Sequence, residues 1–403
     1  MKKLLSNFLS LTSINSLGLL ISLVTVPLLL RNFGDEVYGQ YALYFIITQF
    51  FLVVIDYGFD VLLVKKASNK GNLSELFFDT IFLRLFIFIL VFVFSIGLMA
   101  LIESDNKNIF SFIFLMLSNL GMVFSVTWVF QYKERMFPIA LITLISRLVY
   151  LVLILLSNEI SMVSVSLYYL ISSIISWVCG ILLVFSTYID IKGDYKFCLK
   201  RLTRNFSQST SIFYYRFFSS LFVPVNSAII SYMAGYSWVT YFDLFNKISG
   251  VINMISFSAV QAIYPLLTKC KTSNHVYYYF KKYTLITFLI TCISILWLIV
   301  FDDFNLYLIS LVFFDNKYDV NALLPSIVVF GFFVAMNSFV SRCLVIADKQ
   351  NKIFFYTSIS VFVALLLSPF SILFLGKDWL VLPSILFQSI LFILMFNCYQ
   401  KSR

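Results

Sequence analysis

Apolar runs of 18 or more residues recur along almost the whole of this 403-residue chain. A run of that length is what a helix needs to cross the hydrocarbon core of a bilayer. Lipid offers a backbone no hydrogen-bond partner, so such runs are helices that pair their own N–H and C=O groups. Barrel strands would alternate over about ten residues, whereas these runs are continuous and longer. A mean hydropathy of +0.95 and a charged fraction of 12% exceed what a soluble core of this length needs. The expected fold is an all-α polytopic membrane protein.

Hydropathy marks about twelve spans. The first six lie near 9–30, 41–63, 79–101, 109–131, 137–157 and 163–187. The second six lie near 207–232, 238–263, 283–312, 321–346, 353–375 and 379–398. Met1-Lys2-Lys3 before an apolar stretch resembles a signal peptide, but no A-x-A site follows, so a retained first span is expected. The longest polar connection divides the chain into an N-terminal lobe (1–188), a cytoplasmic linker (189–206) and a C-terminal lobe (207–403). Two six-helix lobes around a central cationic cavity are a recurrent transporter plan.

Loop charge orients the spans. Twenty of the 29 Lys and Arg residues fall at the termini and after even-numbered spans, and four follow odd-numbered ones. That bias places both termini in the cytoplasm. The net charge of +10 is then a topology signal, and nucleic-acid binding is not expected. The six cysteines and single histidine form no metal-binding spacing, and no cofactor is expected.

The other five cations lie inside spans: Arg84, Arg147, Arg216, Lys247 and Arg342. Three acids, Asp56, Asp60 and Asp243, share that environment. Each charge at mid-membrane costs about 2.5–3.5 kcal/mol if it faces lipid. Eight would cost roughly 20 kcal/mol, so a water-filled path between helices is expected to hold them, and its cationic surplus suits an anion. Arg147 and Arg216 fall near the midplane and, with Lys247, are the candidate anion-binding cations. Arg84, Arg342, Asn246 and Asn253 are further candidate substrate contacts, although Arg84 and Arg342 lie nearer the cytoplasmic face, where snorkelling is at least as good an explanation. In the eighth span Asp243, Asn246, Lys247, Gly250, Asn253 and Gln261 share one helix face, either a cavity wall or a polar packing seam. Asp243 and Lys247, four apart, are placed to pair. Asp56, Asp60 and Asp243 are the candidate ion-coupling acids, with Asp56 favoured because its helix carries no cation within one turn. No catalytic constellation stands out, and all external loops are short. An enzyme is not expected.

Three segments carry a family resemblance. The stretch Pro27-Leu28-Leu29-Leu30-Arg31-Asn32-Phe33-Gly34-Asp35-Glu36-Val37-Tyr38-Gly39-Gln40-Tyr41 resembles the first-loop signature of bacterial polysaccharide flippases. These form the O-antigen (Wzx-like) branch of the multidrug/oligosaccharidyl-lipid/polysaccharide exporter superfamily. Asp56-Tyr57-Gly58-Phe59 resembles the family's D-x-G element. Trp128-Val129-Phe130-Gln131-Tyr132-Lys133-Glu134-Arg135-Met136 resembles its W-x-F-Q-x-x-E-x-M element, with Tyr132 where a glycine is usual. The resemblance implies two lobes with alternating access and a cargo of undecaprenyl-pyrophosphate-linked oligosaccharide. It implies membrane lipids as surroundings, and the polymerase and chain-length regulator of the same pathway as partners. A small-molecule exporter of the same superfamily, coupled to a cation, is the alternative; an O-antigen polymerase or ligase, which also has about twelve spans, would need a large periplasmic loop to hold its active site.

Overall fold

The computed structural model describes residues 2–68, 72–103, 105–133, 135–157, 159–187, 198–268, 273–300, 320–346, 349–376 and 379–401. The first unit, Met1–Ser220, opens with α1 (Lys2–Asp56), α2 (Phe59–Ser68), α3 (Leu73–Ile102) and α4 (Asn106–Ser118). It continues with α5 (Leu120–Val123), α6 (Thr127–Tyr132), α7 (Phe137–Leu156), α8 (Met162–Thr187) and the first part of α9 (Leu199–Ala234). The second unit, Leu221–Arg403, takes the rest of α9, α10 (Tyr236–Thr268), α11 (Ser273–Val300), α12 (Val320–Ile346), α13 (Gln350–Phe370) and α14 (Leu382–Gln400).

Among the described residues, ten stretches are long and apolar enough to cross a membrane. The part of α1 before Gly34, and α10, are helical where the first and eighth spans are expected. The expected loop between the first two spans is reduced to one break at Gly34 (φ 71°, ψ 174°), a conformation open to glycine because it has no Cβ. Asp302-Asp303 and residues 188–197 of the expected linker lie outside the described residues. From Leu199 onward the linker sequence is already helical, as the first turns of α9.

Two spans expected to be continuous are broken. The second is interrupted at Tyr57 (φ 50°) and Gly58 (φ 76°), both in the left-handed region. Tyr57 would resist that conformation alone, but its ring is stacked between Phe206 and Phe213, each 4.3 Å away between centroids. Gly58 meets α9 closely: a Cβ there would lie 2.7 Å from Ile212 Cγ2. The fourth span is divided into α4, α5 and α6, with Ser125 and Val126 outside any helix. Non-helical backbone inside a bundle survives only where protein or water satisfies it.

Each unit has its own core. In the first, Phe59, Leu63, Phe77, Trp128, Val129 and Phe130 are buried together, so α2, α3 and α6 close over both broken segments. In the second, Phe280, Tyr283, Met336, Phe339, Met395 and Tyr399 join α11, α12 and α14. The buried Asn226–Ser368 hydrogen bond, at 2.5 Å, ties α9 to α13.

Candidate functional site

The two broken spans converge on a charge cluster. Asp56 ends α1, Asp60 starts α2, Arg84 lies within α3 and Arg216 within α9. Arg84 is fully buried. Its Nη2 donates to Asp56 Oδ1 and to Asp60 Oδ1, the latter at 2.7 Å. Its Nη1 donates to the backbone carbonyl of Ser125 at 3.3 Å, a carbonyl freed by the break in the fourth span. Its Nε has no hydrogen-bond partner among the described residues. Arg216 Nη1 donates to the other oxygen of Asp56. Two cations thus face two carboxylates, and the cluster is neutral as a whole. An unpaired buried ion costs several kcal/mol, which explains why the charges come as a balanced set.

Two sequence-based expectations are corrected here. Arg84 does not snorkel: its side chain is 1% exposed and locked between acids. Hydropathy places it near a membrane face but says nothing of which side of α3 it occupies. Asp56 has no cation within a turn of its own helix, yet α3 and α9 bring it two arginines. The argument that favoured it as an uncompensated acid therefore fails.

The Arg216 side chain differs from Arg84 in being 36% exposed. It is the cluster's accessible cation. Arg147, on α7, is exposed and packs over α1 at Gly18, where a Cβ would fall 2.1 Å from its Nη1. Among the described residues no carboxylate forms an ion pair with it. It lies on the wall of a cavity of about 330 Å³ that Ser125 also lines.

In the second unit, Lys247 Nζ donates to Asp243 Oδ2 at 2.7 Å, one helical turn away. Asp243 is buried, and Asn246 donates to the Phe242 carbonyl at 2.9 Å. Asn253, two turns on, is exposed. The polar face of α10 is therefore buried at Asp243 and open at Asn253. The Gln261 side chain lies outside the described residues, and Arg342 on α12 is half-buried.

A second ion-pair cluster was not anticipated. Asp79, buried near the start of α3, accepts from Arg201 Nε at 2.6 Å and Nη2 at 2.9 Å. Arg201 Nη1 also reaches Glu75 Oε2 at 2.7 Å, and Lys66 donates to Asn205, itself hydrogen-bonded to Asp79. The available signal was the spacing of Glu75 and Asp79, four apart in the first turns of a helix. That spacing gives them one face at the end where acids are favoured.

Charges paired inside a bundle of apolar helices, with helix breaks around them, mark a multi-pass membrane protein. The fold matches that of the lipid II flippase MurJ in an inward closed conformation, with a TM-score of 0.74 at 16% identity over 97% of this chain and 87% of that one. It also matches an inward-facing multidrug resistance MATE family transporter of the MOP superfamily, with a TM-score of 0.68 at 12% identity over 95% of this chain and 94% of that one.

The family described as "Polysaccharide biosynthesis protein" matches residues 4–271, and the chain belongs to that family. A protein of Escherichia coli (strain K12) named "Putative O-antigen transporter" is 24% identical over 299 residues, 72% of this chain and 70% of that protein. The motifs read from the sequence agree with membership of that family, and the fold is the one shared by these solved transporters.

Proposed function

We propose that the protein is a flippase in a bacterial inner membrane. It turns an undecaprenyl-pyrophosphate-linked oligosaccharide, an O-antigen or capsule repeat unit, from the cytoplasmic to the periplasmic leaflet by alternating access. Both termini are cytoplasmic, in keeping with the loop-charge bias.

The carrying observation is the Arg216–Asp56 contact. Arginine matches phosphate oxygens through its planar fork. A pyrophosphate competes with Asp56 for Arg216, and Arg84 still holds Asp56 and Asp60 when Arg216 turns away. The two carboxylates then share one cation, so the pyrophosphate contact has to outweigh that uncompensated charge, which the partial exposure of Asp60 reduces. Arg147 and Lys247 are the further substrate cations, with Asn246 and Asn253 as polar contacts and Arg342 as a peripheral cation. Arg84 holds Asp56 and Asp60 in place and does not itself meet cargo.

The test is deletion of the gene. Lipid-linked repeat units should accumulate in the inner leaflet, and surface glycan should disappear. Normal glycan assembly with lost efflux of a fluorescent organic cation would instead establish the small-molecule exporter.

A further inference from the structure

The cavity within the first unit has a chemistry that the charge cluster does not use. Helices α7 and α8 each turn one face to it. On α7 the lining residues are Thr143, Ser146, Arg147 and Tyr150, while Leu141, Ile145, Leu148 and Val152 occupy the opposite, exposed face. On α8 the lining residues are Ser172, Ser173, Ser176 and Trp177, while Leu167, Ile171 and Ile174 are exposed on the other side. Steps of three and four produce both patterns. The hydroxyl-bearing faces therefore point away from the apolar ones that suit lipid.

Most of these hydroxyls have already spent their proton. Thr143 donates to the Ala140 carbonyl at 2.8 Å, Ser146 to Ser172 at 2.7 Å and Ser173 to Leu170 at 2.9 Å. Ser172 and Ser118 do the same with Tyr169 and Leu115. Their oxygens keep lone pairs, so the wall presents acceptors. One buried atom of the wall is unmatched: the indole Nε1 of Trp177 has no partner among the described residues. The Trp177 ring is stacked on Phe124 at 4.9 Å, which fixes its direction.

Acceptors in such number would also suit a cation. Arg147 on the same wall opposes that, and no acid lines the cavity. The complementary ligand is neutral, rich in hydroxyl donors, and carries an acceptor for the indole. At about 330 Å³ the cavity lies at the small end of ligand pockets and has room for one or two sugar rings.

We propose that this cavity is a saccharide subsite for the sugar nearest the pyrophosphate. Trp177 donates to a ring oxygen or acetamido carbonyl, and the Thr143 and Ser173 oxygens accept from sugar hydroxyls. The adjacency follows from Arg147, which stands on this wall and is one of the cations assigned to the pyrophosphate. The subsite rests on the lipid-linked glycan reading of the cargo.

The experiment compares two probes on the purified full-length protein in nanodiscs: undecaprenyl pyrophosphate, and the lipid-linked saccharide extracted from the producing strain. Wild type should bind the saccharide-bearing probe more tightly. Trp177→Phe keeps the stacking but removes the N–H, and should weaken that probe roughly three- to tenfold while leaving undecaprenyl pyrophosphate unchanged. Ser173→Ala, a smaller perturbation of packing, should act in the same direction. Arg147→Gln should weaken both probes. Equal wild-type affinity for the two probes, or Trp177→Phe and Ser173→Ala variants that bind the saccharide probe like wild type, overturns the subsite and leaves the glycan-carrier reading standing. A wild-type protein that binds neither probe rejects that reading and the subsite together.

Discussion

Arg216 and Asp56, 160 positions apart in the chain, form an ion pair in which the carboxylate is buried and the guanidinium is partly open. Arg84 holds the other oxygen of the same carboxylate. One acid therefore joins a cation that is locked to a cation that can be exchanged, and the two arginines should respond differently to mutation.

Arg84→Gln leaves Asp56 and Asp60 with one cation between them. Removing one member of a buried pair costs about 3–5 kcal/mol. Protein abundance in the membrane should fall sharply, with a lowered melting temperature. Arg84→Gln combined with Asp60→Asn restores the charge balance around Arg216 and Asp56 and should recover part of the lost protein. Wild-type abundance of the single variant, read by immunoblot, would contradict the locked role.

Arg216→Gln should lower abundance less than Arg84→Gln, because the buried Arg84 still joins Asp56 and Asp60. Surface-glycan assembly should drop, since each charge-assisted contact contributes about 1.5–3 kcal/mol, a roughly ten- to hundredfold effect on affinity. Arg147→Gln and Lys247→Gln should behave alike, and Arg216→Lys should be milder because charge survives while the fork is lost. Full glycan export by all three glutamine variants at normal expression would reject the anion site.

Two glycines separate strain from crowding. Gly34→Ala meets open space and should cost only the positive-φ penalty, about 1–2 kcal/mol. Gly58→Ala adds a clash with Ile212 against α9 and should destabilise more. Melting temperatures in a common detergent give the comparison; equal losses would contradict the close approach of Gly58 to α9.

Asp79→Asn removes the charge and one of the two acceptor oxygens that Arg201 grips, and should destabilise by about 1.5–3 kcal/mol. Arg201→Lys should not rescue like wild type, since a point charge cannot make both bonds. Both effects belong to stability, measured by melting, with the Arg216-dependent transport step retained by the protein that folds.

Topology is open to thiol labelling. Cysteines placed at Asn106, Asn316 and Lys377 should react with an impermeant reagent in intact spheroplasts. Those at Lys70, Lys200 and Lys271 should react only after lysis. Labelling of position 200 before lysis would reverse the orientation.

The sequence by itself determined the all-helical membrane class, the location of most apolar helices and the family. Run length and hydropathy are properties of contiguous residues, and the Asp56-Tyr57-Gly58-Phe59 and Trp128–Met136 elements are contiguous too. The Asp243–Lys247 pair was legible for the same reason: four residues make one turn of a helix. Tertiary structure decided everything that depends on which side of one helix meets another. Hydropathy treats Arg84 and Arg216 alike, yet the rotation of α3 buries the first, while the path of α9 leaves the second part-open. The breaks at Tyr57-Gly58 and around Ser125 were hidden inside apolar runs, because a run's hydropathy does not record where its backbone bonds are given up. What settles those breaks is a partner from elsewhere in the chain: Phe206 and Phe213 for Tyr57, and the Arg84 guanidinium for the Ser125 carbonyl. A buried charge or a freed carbonyl is stable only against a specific neighbour, and that neighbour is chosen by the packing of whole helices.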